Sequence, residues 1–377
     1  MNEIASLLGE LVAIDSINPD LVPGGAGEAA IAHFVANWLE QAGLLVAIDE
    51  PVPGRPSVVA IARGSGGGRS LMLNAHMDTV GVAGMERPHD PVVQDNRLYG
   101  RGAFDMKGGL AAIMFAAAAA KKQRLRGDVI LTAVSDEEYA SIGTASIVKR
   151  WHADAAIVTE PTGLEICIAH KGFIWLEVET RGIAAHGSLP DIGVDAIVKM
   201  GKVLVGLEEL DRSLRSAPSH RLLGSGSLHA SLISGGQELS SYPERCVLSV
   251  ERRTVPGETA QDVESRVRQV LDRVAASDTT FNASLRTTLL REAFEVSQDE
   301  PIVQAVYRHA TAIAGQEPDI TGATAWMDSA ILSAAGIPTV IFGPGGDGAH
   351  AVVEWVDLEQ VERCVEVLVA SAGEFCG

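Results

Sequence analysis

At 377 residues the chain is longer than a single hydrophobic core usually serves, so two domains are expected. A formal net charge of −19, with no block of Lys and Arg, excludes the basic surface that nucleic-acid binding needs and is read as a device of solubility. Cys167, Cys246, Cys364 and Cys376 are scattered without a Cys-x-x-Cys pair, which leaves no disulfide framework or thiolate metal site and suggests reduced cysteines in the cytoplasm.

Residues 1–14 carry Glu3 and Glu10 on an amphipathic pattern and lack a basic region followed by an apolar stretch, so they read as a helix rather than a secretory signal. Glycine-rich residues 64–68 read as a flexible hairpin loop. Residues 70–75, 129–134, 155–159 and 338–342 are short apolar runs of buried-strand type. The longest apolar run, 108–120, has 13 residues against the roughly 20 that cross a bilayer, and ends in Lys121 and Lys122, so a buried helix is expected and no membrane partner. To about residue 171 helices and strands alternate, the rhythm of a mostly parallel mixed sheet flanked by helices.

Beyond Gly172 the texture changes. Residues 173–180, 227–234, 246–252 and 281–289 read as strands and 194–210 and 260–276 as helices, an α+β unit inserted into the first domain. The alternating pattern resumes with helices at 302–314 and 329–335, the strand near Val340 and a last helix at 358–372. The expected division is therefore a discontinuous domain of 1–172 and 292–377, with an inserted domain of 173–291.

Open α/β sheets build their sites beyond the carboxyl ends of their strands, and here those ends carry metal-ligand residues. His76-Met77-Asp78, Glu137-Glu138, Glu160 and His350 follow predicted strands, while Asp105 sits in the glycine-dense entry to the long apolar helix. Each has a plainer reading: a satisfied turn histidine, a solvated acidic pair, or, for Asp105, a helix N-cap. Adjacent side chains in extended chain point to opposite sides, so of Glu137 and Glu138 one could hold a cation while the other stays free as a base. Together, two histidines and several carboxylates are what a pair of zinc ions would require.

Jointly these segments resemble the dinuclear zinc amidohydrolases that include acetylornithine deacetylase, succinyl-diaminopimelate desuccinylase, aminoacylases and glutamate carboxypeptidase. The resemblance spans nearly the whole chain. It rests on His76-Met77-Asp78-Thr79-Val80, Gly100-Arg101-Gly102, Asp105-Met106-Lys107-Gly108-Gly109, Asp136-Glu137-Glu138, Thr159-Glu160-Pro161-Thr162, Ala185-His186-Gly187 and Gly343-Pro344-Gly345-Gly346 with His350. It implies a zinc-exopeptidase-like fold with the insert as an α+β sandwich serving as lid and dimerisation domain. His76 and Glu160 are then expected to bind one Zn²⁺, Glu138 and His350 the other, and Asp105 both, through a cis Asp105–Met106 peptide; Co²⁺ or Mn²⁺ are substitutes by ligand type.

By the same resemblance Asp78 orients His76, and Glu137 is the general base toward a metal-bridging hydroxide. His186 reaches the site of a partner subunit, and Arg253, Asp328, Gly343 and Gly345 meet the substrate. Ser240 stands where the family often has an asparagine, which weakens the substrate side of the match. The implied activity is hydrolysis of the amide bond of an N-acyl amino acid or small peptide with a free carboxylate, by a homodimer. The alternatives are an inactive metal-binding scaffold, for which Glu137 and His186 would be superfluous, and a dinuclear phosphoesterase, for which no basic cluster awaits a phosphate.

Overall fold

The computed structural model describes residues 3–377, and the chain divides into two compact units. One runs to Ile168 and resumes over Val296–Thr321 and Met327–Gly377; the other comprises Ala169–Glu295 with Gly322–Trp326. In chain order the first unit begins with α1 (Glu3–Ala13), α2 (Ala29–Gln41), β1 (Leu45–Asp49), β2 (Ser57–Ala62), β3 (Leu71–His76), β4 (Val92–Gln94), β5 (Arg97–Tyr99), α3 (Gly108–Gln123), β6 (Val129–Val134), α4 (Ile142–Ile147) and β7 (Ala155–Val158). β8 (Ile166–His170) leads to the second unit, which holds β9 (Gly172–Arg181), α5 (Ala196–Arg215), β10 (Ser227–Gly235), β11 (Arg245–Thr254), α6 (Ala260–Ser277), β12 (Asn282–Arg291) and β13 (Phe294–Glu295). The chain closes with α7 (Pro301–Ala314), β14 (Ile320–Ala323), α8 (Ser329–Ala334), β15 (Thr339–Ile341), β16 (Gly346–Asp347), β17 (Trp355–Asp357) and α9 (Leu358–Cys376).

The main sheet of the first unit has the order β1-β2-β6-β3-β7-β15-β8. Its central strands β6, β3, β7 and β15 are all parallel, while β2 on β6 and β8 on β15 are antiparallel. Every residue of β3, β6 and β7 is buried, because helices cover both faces and a parallel strand then has no wet side. Each fully buried Leu, Ile or Val in these strands contributes roughly 1.5–3 kcal/mol of transfer free energy. The fold is thus the expected mixed sheet flanked by helices.

The apolar run at 108–120 belongs to a longer helical stretch, Ala103–Gln123, which by length and composition could cross a membrane. Most of it is buried inside the protein, packed on α9, α1, β3 and β6, which accounts for a helix apolar on all sides. The hairpin expected at residues 64–68 is not one. β2 and β3, which this loop joins, are separated in the sheet by β6. Instead the loop lies on the turn before β6, with Ser65 N–H donating to Leu125 O and Gly66 N–H to Arg126 O.

The second unit is a four-stranded antiparallel sheet, β10-β11-β9-β12, with α5 and α6 packed against it. Alternate residues Ile174, Leu176 and Val178 of β9 and Leu248 and Val250 of β11 meet Met200, Val203 and Leu207 of α5 and Val263, Val267 and Val270 of α6. On the opposite side β9, β11 and β12 form cross-strand ion pairs, Arg286–Glu177 and Arg245–Glu179. α6 starts in a capping box, Thr259 accepting from the Asp262 N–H while the Asp262 side chain accepts from the Thr259 N–H.

Candidate metal centre and active site

Four neighbouring parallel strands deliver the candidate residues at their carboxyl ends. His76 is the last residue of β3, Glu137 and Glu138 follow β6, Glu160 follows β7, and Gly343, Gly345 and His350 follow β15. Asp105 arrives from the loop after β5, where the chain must turn hard before α3. Gly102 makes that turn at φ 78°, and a Cβ there would stand 2.7 Å from Thr79 Cγ2. Asp105 and Met106 then leave helical geometry, at φ −115°, ψ 95° and φ −132°, ψ 37°, and the peptide bond between them is cis, as the resemblance implied.

The two carboxylate oxygens of Asp105 face two different imidazoles. Oδ1 is 3.2 Å from His76 Nε2 and Oδ2 is 3.4 Å from His350 Nε2. Glu160 Oε1 lies 3.7 Å from His76 Nε2, and Glu138 Oε2 lies 3.1 Å from His350 Nε2. Two clusters thus share Asp105, one with His76 and Glu160 and one with Glu138 and His350. Glu137 stands in a metal-sized group with His76 and Glu160, so it borders the first cluster, while His76, Asp105 and Glu138 form a second such group.

The electrostatics fit cations. Burial and then the neighbouring Glu160 push the Glu137 carboxyl well above its ordinary range. Burial likewise raises Glu160 to about 8, and raises Glu138 with help from Asp105. At Asp105 burial acts upward, but hydrogen bonds from His350 and His76 outweigh it and hold the carboxyl below its usual range. Hydrogen bonds to Asp105 and Glu138 lift His350 to about 10. Among the described residues Glu138 Oε1 is buried without a hydrogen-bond partner. Crowded acids and an orphaned carboxylate oxygen are what divalent ions would relieve, and the mixed imidazole and carboxylate donors suit them.

Asp78 works differently from the expectation. The second ring nitrogen of His76, Nδ1, is 2.9 Å from the backbone carbonyl oxygen of Asp78, whereas the nearer carboxylate oxygen is 3.6 Å away. The carboxylate is occupied elsewhere: Oδ1 accepts from Glu137 N–H at 3.1 Å, and Oδ2 from Glu138 N–H at 3.2 Å and Asn18 Nδ2 at 2.8 Å. Asp78 therefore orients His76 through its main chain and the acidic pair through its side chain.

Behind it lies a buried polar network. Asn18 Nδ2 also donates to Asp136 Oδ1, and Arg55 clamps Glu28 through Nε at 2.6 Å and Nη2 at 2.8 Å while reaching Asp136 at 2.9 Å. Asp136 sits at φ 68°, a left-handed position that Asp tolerates better than most residues, and this turns the chain into Glu137. Asn18, Glu28 and Arg55 carry no local motif, and sequence reasoning missed them.

Glu354 was missed as well. Its fully buried carboxylate accepts from Arg101 Nη1 at 2.6 Å and from the N–H groups of Gly102, Phe104 and Asp105, each at 3.0 Å. Its one sequence signal is a carboxylate amid apolar residues four positions after His350.

The residues expected at the substrate are placed as follows. Asp328, also in the first unit, is 1% exposed at the start of α8, and its Oδ2 accepts from Thr144 Oγ1 at 2.5 Å. Burial raises its carboxyl to about 6. The Gly343 and Gly345 N–H groups are donated to Thr162 Oγ1 and Gln360 Oε1, so both glycines are engaged inside the protein. In the second unit, His186 is exposed in the loop after β9, with Nδ1 2.8 Å from Ser188 Oγ. Arg253 on β11 donates from Nε to Glu251 at 2.7 Å and lies over the Phe173 ring.

A family model, peptidase family M20/M25/M40, matches residues 72–374. Acetylornithine deacetylase of Myxococcus xanthus is 30% identical, the match covering 99% of this chain and 98% of the relative. N-formyl-4-amino-5-aminomethyl-2-methylpyrimidine deformylase of Bacillus subtilis is 29% identical over 94% of this chain and 91% of the relative. Among solved structures, aminopeptidase PepT of Bacillus cereus superposes with a TM-score of 0.81 at 19% identity, covering 99% of this chain and 98% of that one. An M20 family metallo-carboxypeptidase of Sulfolobus solfataricus does so at 0.78 and 19% identity, over 100% and 99% of the two chains. The chain belongs to the peptidase family M20/M25/M40 and is a metal-dependent hydrolase of amide bonds.

Proposed function

We propose that the protein deacylates a small N-acyl amine, an N-acyl amino acid or short peptide in the leading reading, using two Zn²⁺ ions per chain. His76, Glu160 and Asp105 would hold one ion, and Glu138, His350 and Asp105 the other. The observation that carries this is the division of Asp105, whose two oxygens face His76 and His350 separately. Bound there, two divalent ions supply positive charge that polarises the amide carbonyl and acidifies a water molecule.

The chain's own residues do the rest. Glu137, which borders the first cluster beside His76 and Glu160, would take the water's proton and hand it to the departing nitrogen. Asp78 fixes the Glu137 main chain, so the carboxylate approaches from a set direction. The Arg253 guanidinium is the candidate grip on a substrate carboxylate, its fork suiting that geometry.

The inserted domain of 173–291, which falls within the second unit, is proposed as lid and dimerisation domain. β10 is an edge strand whose Leu232 and Ile233 are 73% and 54% exposed, and on α5, which packs on it, Val198 and Val205 are 57% and 58% exposed. An exposed apolar edge of this kind suits pairing with its own copy about a two-fold axis, which would carry each His186 to the partner's site. There the imidazole would meet the developing oxyanion. Cys246, Cys364 and Cys376 are buried thiols outside any disulfide, which accords with a cytoplasmic location.

A second reading is an N-acyl or N-formyl amine without a carboxylate. It draws on the deformylase relative, whose named substrate has none, and on Arg253 being already paired with Glu251. Amine release measured across N-acyl amino acids, dipeptides and N-acyl amines lacking a carboxylate decides between them. Preference for the carboxylates, lost in Arg253→Gln, supports the first reading, and indifference to the carboxylate the second. Failure to cleave any of them with metal supplied would sink both.

A further inference from the structure

We propose that Glu354 is a positioning residue that holds the Asp105 loop and the His350 loop in one register. The proposal rests on the metal reading above and adds to it the side chain that keeps the shared ligand in place. β5 and β17 pair antiparallel, Tyr99 opposite Trp355, so the segment that leaves β5, 100–105, adjoins the segment that enters β17, 350–354. Gly100 N–H donates to Glu354 O, and Arg101 Nη2 reaches Ala351 O at 2.9 Å. Into this seam projects the Glu354 carboxylate. Oε2 takes Gly102 N–H and Arg101, and Oε1 takes Phe104 N–H and Asp105 N–H, so four donors converge on one buried group.

The chemistry explains why a carboxylate stands here. The N–H groups of Gly102, Phe104 and Asp105, around a hard turn, find no helix or sheet partners, and leaving them buried and unmade would cost about 1–3 kcal/mol each. An anion with two oxygens satisfies all of them, and Arg101 compensates its charge. The Asp105 N–H is among the three, so the main chain of the ligand shared by both clusters is pinned directly. The same carboxylate lies four residues beyond His350, which faces the other Asp105 oxygen. One side chain thus ties together the two loops whose separation sets the distance between Asp105 and His350.

The test uses Glu354→Gln, which keeps the shape but turns one acceptor into a donor facing N–H groups. Co²⁺ is titrated into metal-stripped full-length protein, followed by its d–d absorption and by competition with a chelator, and thermal midpoints are taken on the metal-free forms. The expected result is Co²⁺ binding weakened about 10–100-fold with an altered absorption envelope, since partners behind metal ligands are typically worth that much. Glu354→Asp should recover part of the affinity, as a merely space-filling role would not require. If Glu354→Gln fails to fold, Arg101→Lys, which removes the fork but keeps the charge, should show the same change to a smaller degree. Unchanged Co²⁺ affinity and spectrum in a folded variant would overturn the assignment while leaving the metal reading intact. Absence of Co²⁺ binding by the wild type would overturn both.

Discussion

Replacing Asp78 by Asn removes one charge and almost no volume, and the geometry determines what is lost. The carboxylate accepts three hydrogen bonds, one at Oδ1 from Glu137 and two at Oδ2 from Glu138 and Asn18. An asparagine must turn its NH₂ toward one side. Facing Glu138 and Asn18 it would oppose two donors, so it should face Glu137, whose N–H is left buried and unsatisfied. Losing one hydrogen bond to a charged acceptor costs about 1.5–3 kcal/mol. If that loss falls on the placement of Glu137, each 1.36 kcal/mol is tenfold in rate, which makes the expected fall in kcat roughly 10- to 150-fold. KM and metal content should stay near wild type, because the Glu138 bond and the His76 contact to the Asp78 main chain remain. The assay is amine release at saturating substrate, with metal counted on the same sample. A kcat within about twofold of wild type, or a fall fully matched by lost metal, would refute the reasoning.

Glu137→Gln should abolish turnover with both metals retained, whereas Glu138→Gln should lower the occupancy of one site; equal metal loss in the two variants would reverse the assignment. Mixing Glu137→Gln with His186→Ala under subunit exchange should restore activity, and persistent inactivity with exchange confirmed by mass would place His186 in its own chain's chemistry or outside it. In the metal-free protein, Glu160 binds its proton more tightly folded than unfolded, so its stabilisation is complete below about 4.5 and is lost as pH rises to about 8. The elevated His350 adds a loss of the same sign between about 6.5 and 10. The thermal midpoint of stripped protein should therefore fall through this window, less steeply in Glu160→Gln, and an unchanged slope in that variant would discredit Glu160 as a source. Gly109→Ala should destabilise by about 1–3 kcal/mol in denaturant unfolding, since the added Cβ would stand 2.2 Å from Thr159 O; a neutral result would mean that α3 can retreat from β7 at no cost.

What the sequence made legible were features with local causes. β3, β6, β7 and β15 announce themselves as short apolar runs because they are buried on both faces, and the residues just after them sit at the carboxyl edge wherever the strands are parallel. His76, Glu137, Glu138, Glu160 and His350 could be singled out on that ground. The supporting contacts were not legible, because they depend on pairings between distant segments. Glu354 meets Arg101 across 253 residues, and nothing near either indicates that β5 and β17 will pair. Asn18, after α1, and Arg55, before β2, join Asp78 and Asp136 only once the ends of β3 and β6 are brought beside them. The loop at 64–68 misled for the opposite reason. Its glycines fit a hairpin locally, and only the insertion of β6 between its flanking strands shows otherwise.

The account stands most directly on a metal titration of activity. Protein stripped by chelation and assayed for amine release from its best N-acyl substrate should be inactive, and should regain activity as Zn²⁺ is added up to two equivalents per chain, with no gain in an Asp105→Asn variant. Activity that survives complete stripping, or that returns equally in Asp105→Asn, would contradict the claim that Asp105 unites two metal positions into one catalytic centre.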